Sequence, residues 1–127
     1  MRAAQLLPFW RRGRTSTYGN CGMKETICAY IRNTLGIDEQ EVIDDLWQEY
    51  LLAFRENLGR IETLLSSRDG VGVSRAAHSL KGCAGNVGHT TAYQICQKLE
   101  AAGKESDFET AGKLLEQLQE QCTALMA

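Results

Sequence analysis

The chain is 127 residues long and carries a formal net charge of −2, with 14 lysines and arginines against 16 aspartates and glutamates. A chain of this length builds one compact core and is too short for two comfortable domains. A single proline, 7% aromatic residues and few β-branched runs argue against a β-sandwich or barrel, whereas abundant Leu, Ala, Glu, Gln and Lys favour helices. We therefore predict an all-α protein.

The N-terminal segment, residues 1–22, differs from the rest of the chain in charge. It holds no acidic residue and four arginines: Arg2, Arg11, Arg12 and Arg14. Because it also lacks a helical period, we predict a disordered basic leader or linker, with a misassigned start and a nucleic-acid-binding arm as alternatives. The folded domain is predicted to span residues 23–127.

The cysteines and the apolar runs indicate the cellular environment of the protein. Five cysteines are scattered without a C-x-x-C pair, mostly at apolar helical positions where a free thiol acts as a small hydrophobe. This indicates a reducing, cytoplasmic environment. No apolar stretch approaches the roughly 18 residues needed to cross a bilayer, and LLPFW is too short for a signal-peptide core. We expect no membrane insertion.

The apolar spacing predicts a short helix over about 24–35, closed by Gly36 in a C-cap role. A long amphipathic helix follows Asp38, which forms a capping-box-like pair with Glu41, and stops near Ser66 because Ser-Ser-Arg-Asp-Gly favours a turn. Its apolar positions keep a spacing of three or four residues: Val42, Ile43, Leu46, Trp47, Tyr50, Leu51, Phe54, Leu58, Ile61 and Leu65.

Three further helices follow in the second half of the chain. The third is predicted to end around Gly88, and its apolar face consists of Val73, Ala77, Leu80, Ala84 and Val87. The fourth is predicted over about 90–102, with Gly103 as its cap and an inward face of Ala92, Ile95, Cys96 and Leu99. The last opens at Ser106 or Asp107, and its seam is Phe108, Ala111, Leu115, Leu118, Cys122 and Leu125. Such seams pack helices nearly antiparallel, so we predict an up-down four-helix bundle with the first short helix as an extra cover.

The third helix carries a histidine away from its predicted core. At about 100° per residue, His78, Gly82 and Gly85 lie roughly 120–180° from the centre of the apolar stripe. A glycine costs about 1 kcal/mol relative to alanine in a helix interior, and close approach of a partner is a physical reason to accept that cost. Lys81 lies on the flank of the same face and can place an ammonium beside an anion.

Neighbouring residues have simpler interpretations. Gly88 is assigned to the helix end, Cys83 and Cys96 to core filling, and His89 to an exposed position, with a second phosphate or metal group as its alternative. We exclude a zinc site, because His78 and Cys83 project about 140° apart and the spacings match no usual zinc pattern. The chain also lacks the nucleophile elbow, convergent carboxylates and nucleotide-binding loop of an autonomous enzyme.

The stretch 78–88, HSLKGCAGNVG, followed by Ile95-Cys96 and Leu99-Glu100, resembles the histidine-containing phosphotransfer (HPt) domain. The pattern of that family is H-x-L-K-G-(small)-(small)-G-x-(apolar)-G. The match covers about 76–102 in detail and 24–127 in outline. The family is a four-helix bundle that accepts a phosphoryl group from the aspartyl phosphate of one receiver domain and passes it to another.

The resemblance implies a role for each matching residue. His78 would be phosphorylated, through Nε2, and Lys81 would neutralise the phosphoryl oxygens. Gln97 or Glu100 would hydrogen-bond the imidazole and set its tautomer. The surface that meets the partner would include Ser74, Arg75, Gly82 and Gly85.

The resemblance also implies a phosphorelay carrier without kinase activity or a nucleotide site, free-standing or cut from a hybrid sensor kinase. Its partners would be response-regulator receiver domains, which supply Mg²⁺, and a sensor or hybrid histidine kinase, with neither nucleic acid nor a membrane. We expect a monomer. The alternatives are a four-helix docking module that is never phosphorylated and the phosphorylatable domain of a chemotaxis-type kinase.

Overall fold

Helices account for the architecture of the part of the chain that the structure describes. The structure is a computed structural model that describes residues 17–126, with side chains from Lys24 onward. Within these residues there is no strand, and the helices are α1 Thr17–Thr34, α2 Gln40–Ser66, α3 Gly70–Asn86, α4 Thr90–Lys104 and α5 Phe108–Met126. The predicted all-α class is confirmed.

Helices α2 to α5 form a bundle in which each helix packs against its neighbours in the chain. The contact between α3 and α4 is the most extensive, and α5 closes the bundle by packing against α2. Helix α1 covers α2 and α5. This confirms the predicted four-helix bundle with an additional N-terminal helix. None of the helices in the described part of the chain has the length and apolar character that a membrane span requires.

The apolar stripes predicted from the sequence fill the core. All five predicted inward positions of α3 are buried, and along α2 the predicted stripe is buried or half-buried except at Val42. Ile27 and Ile31 of α1 add to the same core. Removing this apolar surface from water is the main favourable term in folding, and it also fixes the rotation of each helix about its axis.

Helix α1 begins at Thr17, well before the predicted start at Lys24. The boundary predicted after residue 22 therefore lies inside a helix, while residues 1–16 of the predicted leader lie outside the described residues. That boundary is predicted because apolar residues do not recur at helical spacing before residue 23. Such spacing shows that one face of a helix is buried, but a helix without a buried face lacks it as well. Extending an existing helix is far less costly than nucleating one, so α1 needs no apolar stripe there.

Several predicted helix ends are confirmed. Gly36 and Gly88 follow α1 and α3 with φ angles of +70° and +74°, a conformation that glycine adopts without steric cost. At the start of α5, the backbone N–H of Thr110 donates to Oδ1 of Asp107 at 3.2 Å. The predicted start at Asp107 is therefore supported by a capping hydrogen bond.

The capping box predicted at Asp38 is wrong. Helix α2 begins at Gln40, and Glu39 at its N-cap position makes no side-chain capping bond. Gln40 instead accepts a hydrogen bond from Arg32 of α1 at 2.6 Å and donates to Asp44 at 2.9 Å. A contact between α1 and α2, which no local pattern shows, accompanies the start of the helix.

Gly103 lies inside α4, so its predicted role as a helix cap is wrong. A β-carbon at Gly103 would lie 2.8 Å from the carbonyl oxygen of Gly70 and 2.8 Å from the backbone nitrogen of Ser74. A β-carbon at Gly70 would lie 2.5 Å from the carbonyl oxygen of Gly103. The two glycines therefore allow α3 and α4 to cross in backbone contact. The left-handed residue after α4 is Ser106, with a φ of 56°.

His89, in the turn that connects α3 and α4, is buried, so the predicted exposed position is wrong. Its side chain is 4% exposed. Nδ1 lies 2.6 Å from the Tyr50 hydroxyl, and Nε2 lies 3.0 Å from Oε1 of Gln121. Because an amide oxygen only accepts, Nε2 carries the proton and Nδ1 accepts from Tyr50. Burial lowers the pKa of His89, since the charged ring would lose its hydration.

Replacing Gly103 by alanine should destabilise the bundle, because the added methyl group would collide with backbone atoms of α3. We expect the free energy of unfolding to fall by about 1–3 kcal/mol, the usual cost of overpacking. Urea unfolding followed by circular dichroism measures this change.

Gly112→Ala is the matched control for Gly103→Ala. A β-carbon at Gly112 would have nothing within 4 Å, so losing a glycine from the interior of α5 should raise the free energy of unfolding by up to about 1 kcal/mol. Equal effects of the two substitutions would contradict the proposed backbone contact.

The burial of His89 should make the stability of the protein depend on pH. The pKa of the folded state lies below that of the unfolded state, so the unfolded chain binds a proton first as the pH falls. Stability should therefore be fully present above about pH 6.5 and decline below it. Urea unfolding between about pH 5 and pH 8 should show this slope in the wild type, and a flatter one in His89→Gln.

The same measurement on His78→Gln provides the control. This variant keeps the buried histidine, so its stability should still decline as the pH falls. A slope unchanged in His89→Gln would assign the pH dependence to other groups.

Candidate functional site

His78 projects from the outer face of α3. Its side chain is 67% exposed, whereas Ala77 and Leu80 on the opposite side of the helix are 0% exposed. Burial of that stripe sets the rotation of α3 and forces the imidazole outward. The structure therefore places His78 where the helical period predicts it.

Glu100 reaches the imidazole from the neighbouring helix α4. Its Oε2 lies 3.1 Å from Nδ1 of His78. A carboxylate only accepts hydrogen bonds, so Nδ1 carries the proton and the lone pair of Nε2 remains free. The arrangement selects one tautomer of the ring and leaves the second nitrogen able to act as a nucleophile.

Only one of the two predicted imidazole partners is in place. Gln97 is exposed, and within the described residues its side chain forms no hydrogen bond with His78. At 100° per residue, Gln97 lies about 60° further around α4 than Glu100, away from the core. The rotation of α4, set by burial of Cys96 and Leu99, brings Glu100 to the imidazole.

Lys81 binds the other oxygen of the same carboxylate. Its Nζ donates to Oε1 of Glu100 at 2.9 Å and lies 5.9 Å from the centroid of the Tyr93 ring. The hydrogen bond raises the pKa of Lys81 and lowers the pKa of Glu100. Both groups therefore remain charged at neutral pH. The predicted cation lies one helical turn from His78, in position to meet an anion there.

Lys104 is a residue of the site that the sequence reasoning missed. Its Nζ lies 3.9 Å from Oε2 of Glu100, the oxygen that also faces His78. Its side chain is 68% exposed, so water screens this contact strongly. The spacing of four residues between Glu100 and Lys104 was a signal that could have found it, because such residues are neighbours on a helix face.

The two predicted surface glycines differ in their surroundings. A β-carbon at Gly82 would have nothing within 4 Å, so the surface there is open. A β-carbon at Gly85 would lie 3.4 Å from the ring of Tyr93. Part of the space beside Gly85 is therefore occupied by a side chain of this protein.

Ser74 and Arg75, the other two residues predicted to contact a partner, differ in their exposure. Arg75 is exposed, but Ser74 is 7% exposed because its backbone lies against Gly103 at the helix crossing. Ser74 reaches the surface only as part of a cleft beside His78. The partner contact predicted at Ser74 stays a prediction.

The cysteines near the site belong to the core, as predicted. Cys96 is fully buried, and burial raises the pKa of its thiol to about 12. Cys83 is half-buried against the same core. Over residues 24–126, whose side chains the structure describes, no three His, Cys, Asp or Glu side chains are grouped as ligands of a metal ion.

More than half of the chain matches a protein-family model. The family model described as "Hpt domain" matches residues 45–127, which include the whole of α3, α4 and α5. Searches of curated proteins and of solved structures found no match.

Without the Glu100 carboxylate, His78 should no longer be held in a single tautomer. In Glu100→Ala we expect the ring to exchange between its Nδ1–H and Nε2–H forms, because no acceptor holds the proton on Nδ1. Imidazole ¹⁵N chemical shifts at a pH where the ring is neutral measure the two populations.

Gln97→Ala is the matched control for this measurement, since it truncates the side chain of the other predicted imidazole partner on the same helix. It should leave the ¹⁵N shifts of His78 at their wild-type values. A change in Gln97→Ala with none in Glu100→Ala would show that the wrong residue has been assigned.

Proposed function

This chain belongs to the Hpt domain family, and we propose that His78 is the residue on which it carries a phosphoryl group. Members of the family act in histidine phosphotransfer in two-component phosphorelays, where they interact with receiver domains and kinases. One observation supports the proposal above the others. Glu100 holds the proton on Nδ1 of His78, which leaves Nε2 of an exposed imidazole unprotonated.

The proposed step is an in-line transfer from the aspartyl phosphate of a receiver domain. The lone pair of His78 Nε2 forms a bond to phosphorus as the bond between phosphorus and the aspartyl oxygen breaks. The aspartate leaves as a carboxylate, and the ring, which keeps its Nδ1 proton, gains a positive charge. Glu100 stabilises that charge through the existing hydrogen bond. No base is required, so positioning and charge provide the catalysis.

Lys81 is proposed to neutralise the phosphoryl oxygens. An ammonium group has three N–H donors, and the bond to Glu100 uses one of them. Lys81 can therefore donate to the phosphoryl group while it remains anchored. The same geometry serves the reverse step, in which the phosphoryl group leaves for a second receiver domain.

The partner receiver domain is proposed to supply the acidic pocket and Mg²⁺. The open surface beside Gly82 and the exposed Arg75 suit the approach of such a domain. We propose a phosphate carrier without kinase activity of its own, acting as a monomer. The free thiols of Cys28, Cys83, Cys96 and Cys122 suit the reducing cytoplasm as its location.

Phosphorylation of His78 can be tested directly. Incubation with a phosphorylated receiver domain and Mg²⁺ should give this chain an acid-labile, alkali-stable phosphate, because a phosphorus–nitrogen bond behaves in that way. The label should be absent from His78→Gln. Electrophoresis after incubation with a receiver domain that carries radiolabelled phosphate measures the label in both proteins.

The second of the two histidines in the chain provides the control. His89→Gln, checked for folding by circular dichroism, should still be labelled, since His89 is buried. A label that survives His78→Gln would assign the phosphoryl group to another residue and overturn the role of His78. A wild-type chain that no receiver domain labels would favour the alternative of a docking module that is never phosphorylated.

A further inference from the structure

A cleft of about 540 Å³ opens beside His78, between the N-terminal half of α3 and the C-terminal end of α4. It lies on the opposite side of the imidazole from Lys81 along α3. The residues that line it are Val71, Ser74, Arg75, His78, Glu100 and Lys104. Because it shares His78 and Glu100 with the site, a protein docked over the imidazole would lie next to the cleft.

The walls of the cleft combine positive charge with exposed apolar surface. Lys104 and Arg75 are both exposed, and Val71 is 62% exposed. The ion pairs within the described residues all involve Glu100, so none of them neutralises Arg75. Among the described side chains, the cleft therefore offers a guanidinium without an ion-pair partner beside an uncovered apolar side chain.

Charge is also divided between the two halves of the bundle. Helices α3 and α4 hold a single acidic residue, Glu100, against the basic residues Arg75, Lys81, Lys98 and Lys104. Helices α2 and α5 carry more acidic than basic residues. Among the residues of these four helices, positive charge is thus concentrated on the pair that carries His78, where it can steer a negatively charged partner.

We propose that Val71, Arg75 and Lys104 form a selectivity contact, which favours receiver domains that present acidic side chains next to an apolar one beside their phosphorylated aspartate. The proposal rests on the proposed phosphotransfer by His78. Complementary charges at the rim of an interface mainly increase the association rate and reject wrong partners. A small free anion would use Arg75 and Lys104 but not Val71, so the lining favours a protein surface.

Variants that remove the charge but keep the length of the side chains test this contact. The double variant Arg75→Gln/Lys104→Gln is compared with the wild type, using purified phosphorylated receiver domains with either an acidic or a basic surface around the aspartate. At low salt, the second-order rate constant of transfer from the acidic group should fall about tenfold in the double variant. Transfer from the basic group should not fall.

Lys98→Gln is the matched control. Lys98 is exposed on α4, but at 100° per residue it lies about 120° around the helix from Lys104. Its removal should leave the preference for acidic receiver domains unchanged. Raising the salt concentration should reduce that preference in the wild type and in Lys98→Gln alike, because salt screens exposed charges.

A small phosphoryl donor separates this contact from the chemistry of His78. Phosphoramidate needs no docked receiver domain, so its labelling of the double variant measures what the loss of Lys104 does to His78 itself. The fall in transfer from acidic receiver domains should exceed any fall in labelling by phosphoramidate. Transfer that is retained in the double variant, or reduced equally for acidic and basic receiver domains, overturns the selectivity contact alone. A wild-type chain that accepts no phosphoryl group from any receiver domain overturns the proposed function, and this proposal with it.

Discussion

The close backbone contact between α3 and α4 is the constraint on which the site depends. Gly70 and Gly103 meet without side chains between them, and a β-carbon at either would collide with the other helix. Glu100 lies about one turn before Gly103, and His78 about two turns after Gly70. The short distance between the helices is what allows one carboxylate to span from α4 to an imidazole on α3. Helices held further apart by larger side chains would leave Glu100 and His78 separated by water.

Glu100 then organises the site by holding two groups at once. Oε2 faces Nδ1 of His78, and Oε1 accepts from Lys81. The contact with His78 is exposed and contributes little to folding stability, because water screens exposed ion pairs and the side chains lose entropy when held. The main effect of the two contacts is to hold His78 and Lys81 in fixed positions. The arrangement keeps a cation one turn from the unprotonated Nε2, which is the combination that the proposed phosphoryl transfer uses.

The two histidines show how environment assigns different roles to the same side chain. Both ring nitrogens of His89 are satisfied inside the core, by Tyr50 and Gln121. His78 has one nitrogen held by Glu100 and the other free at the surface. Burial makes His89 a structural link between α2, α4 and α5, whereas exposure leaves His78 able to react. The difference follows from the packing around each ring.

The sequence alone determined the helical class, the order of the helices, the apolar stripes and the outward direction of His78, because each follows from the period of a single helix. It left Gln97 and Glu100 as equal candidates, took Gly103 for a helix cap and placed His89 at the surface. Those features depend on partners far along the chain: Glu100 is 22 residues from His78, and Tyr50 is 39 residues from His89. Local periodicity describes which face a helix buries. How closely two buried faces approach, and which side chains then meet, is decided only by the packed tertiary structure.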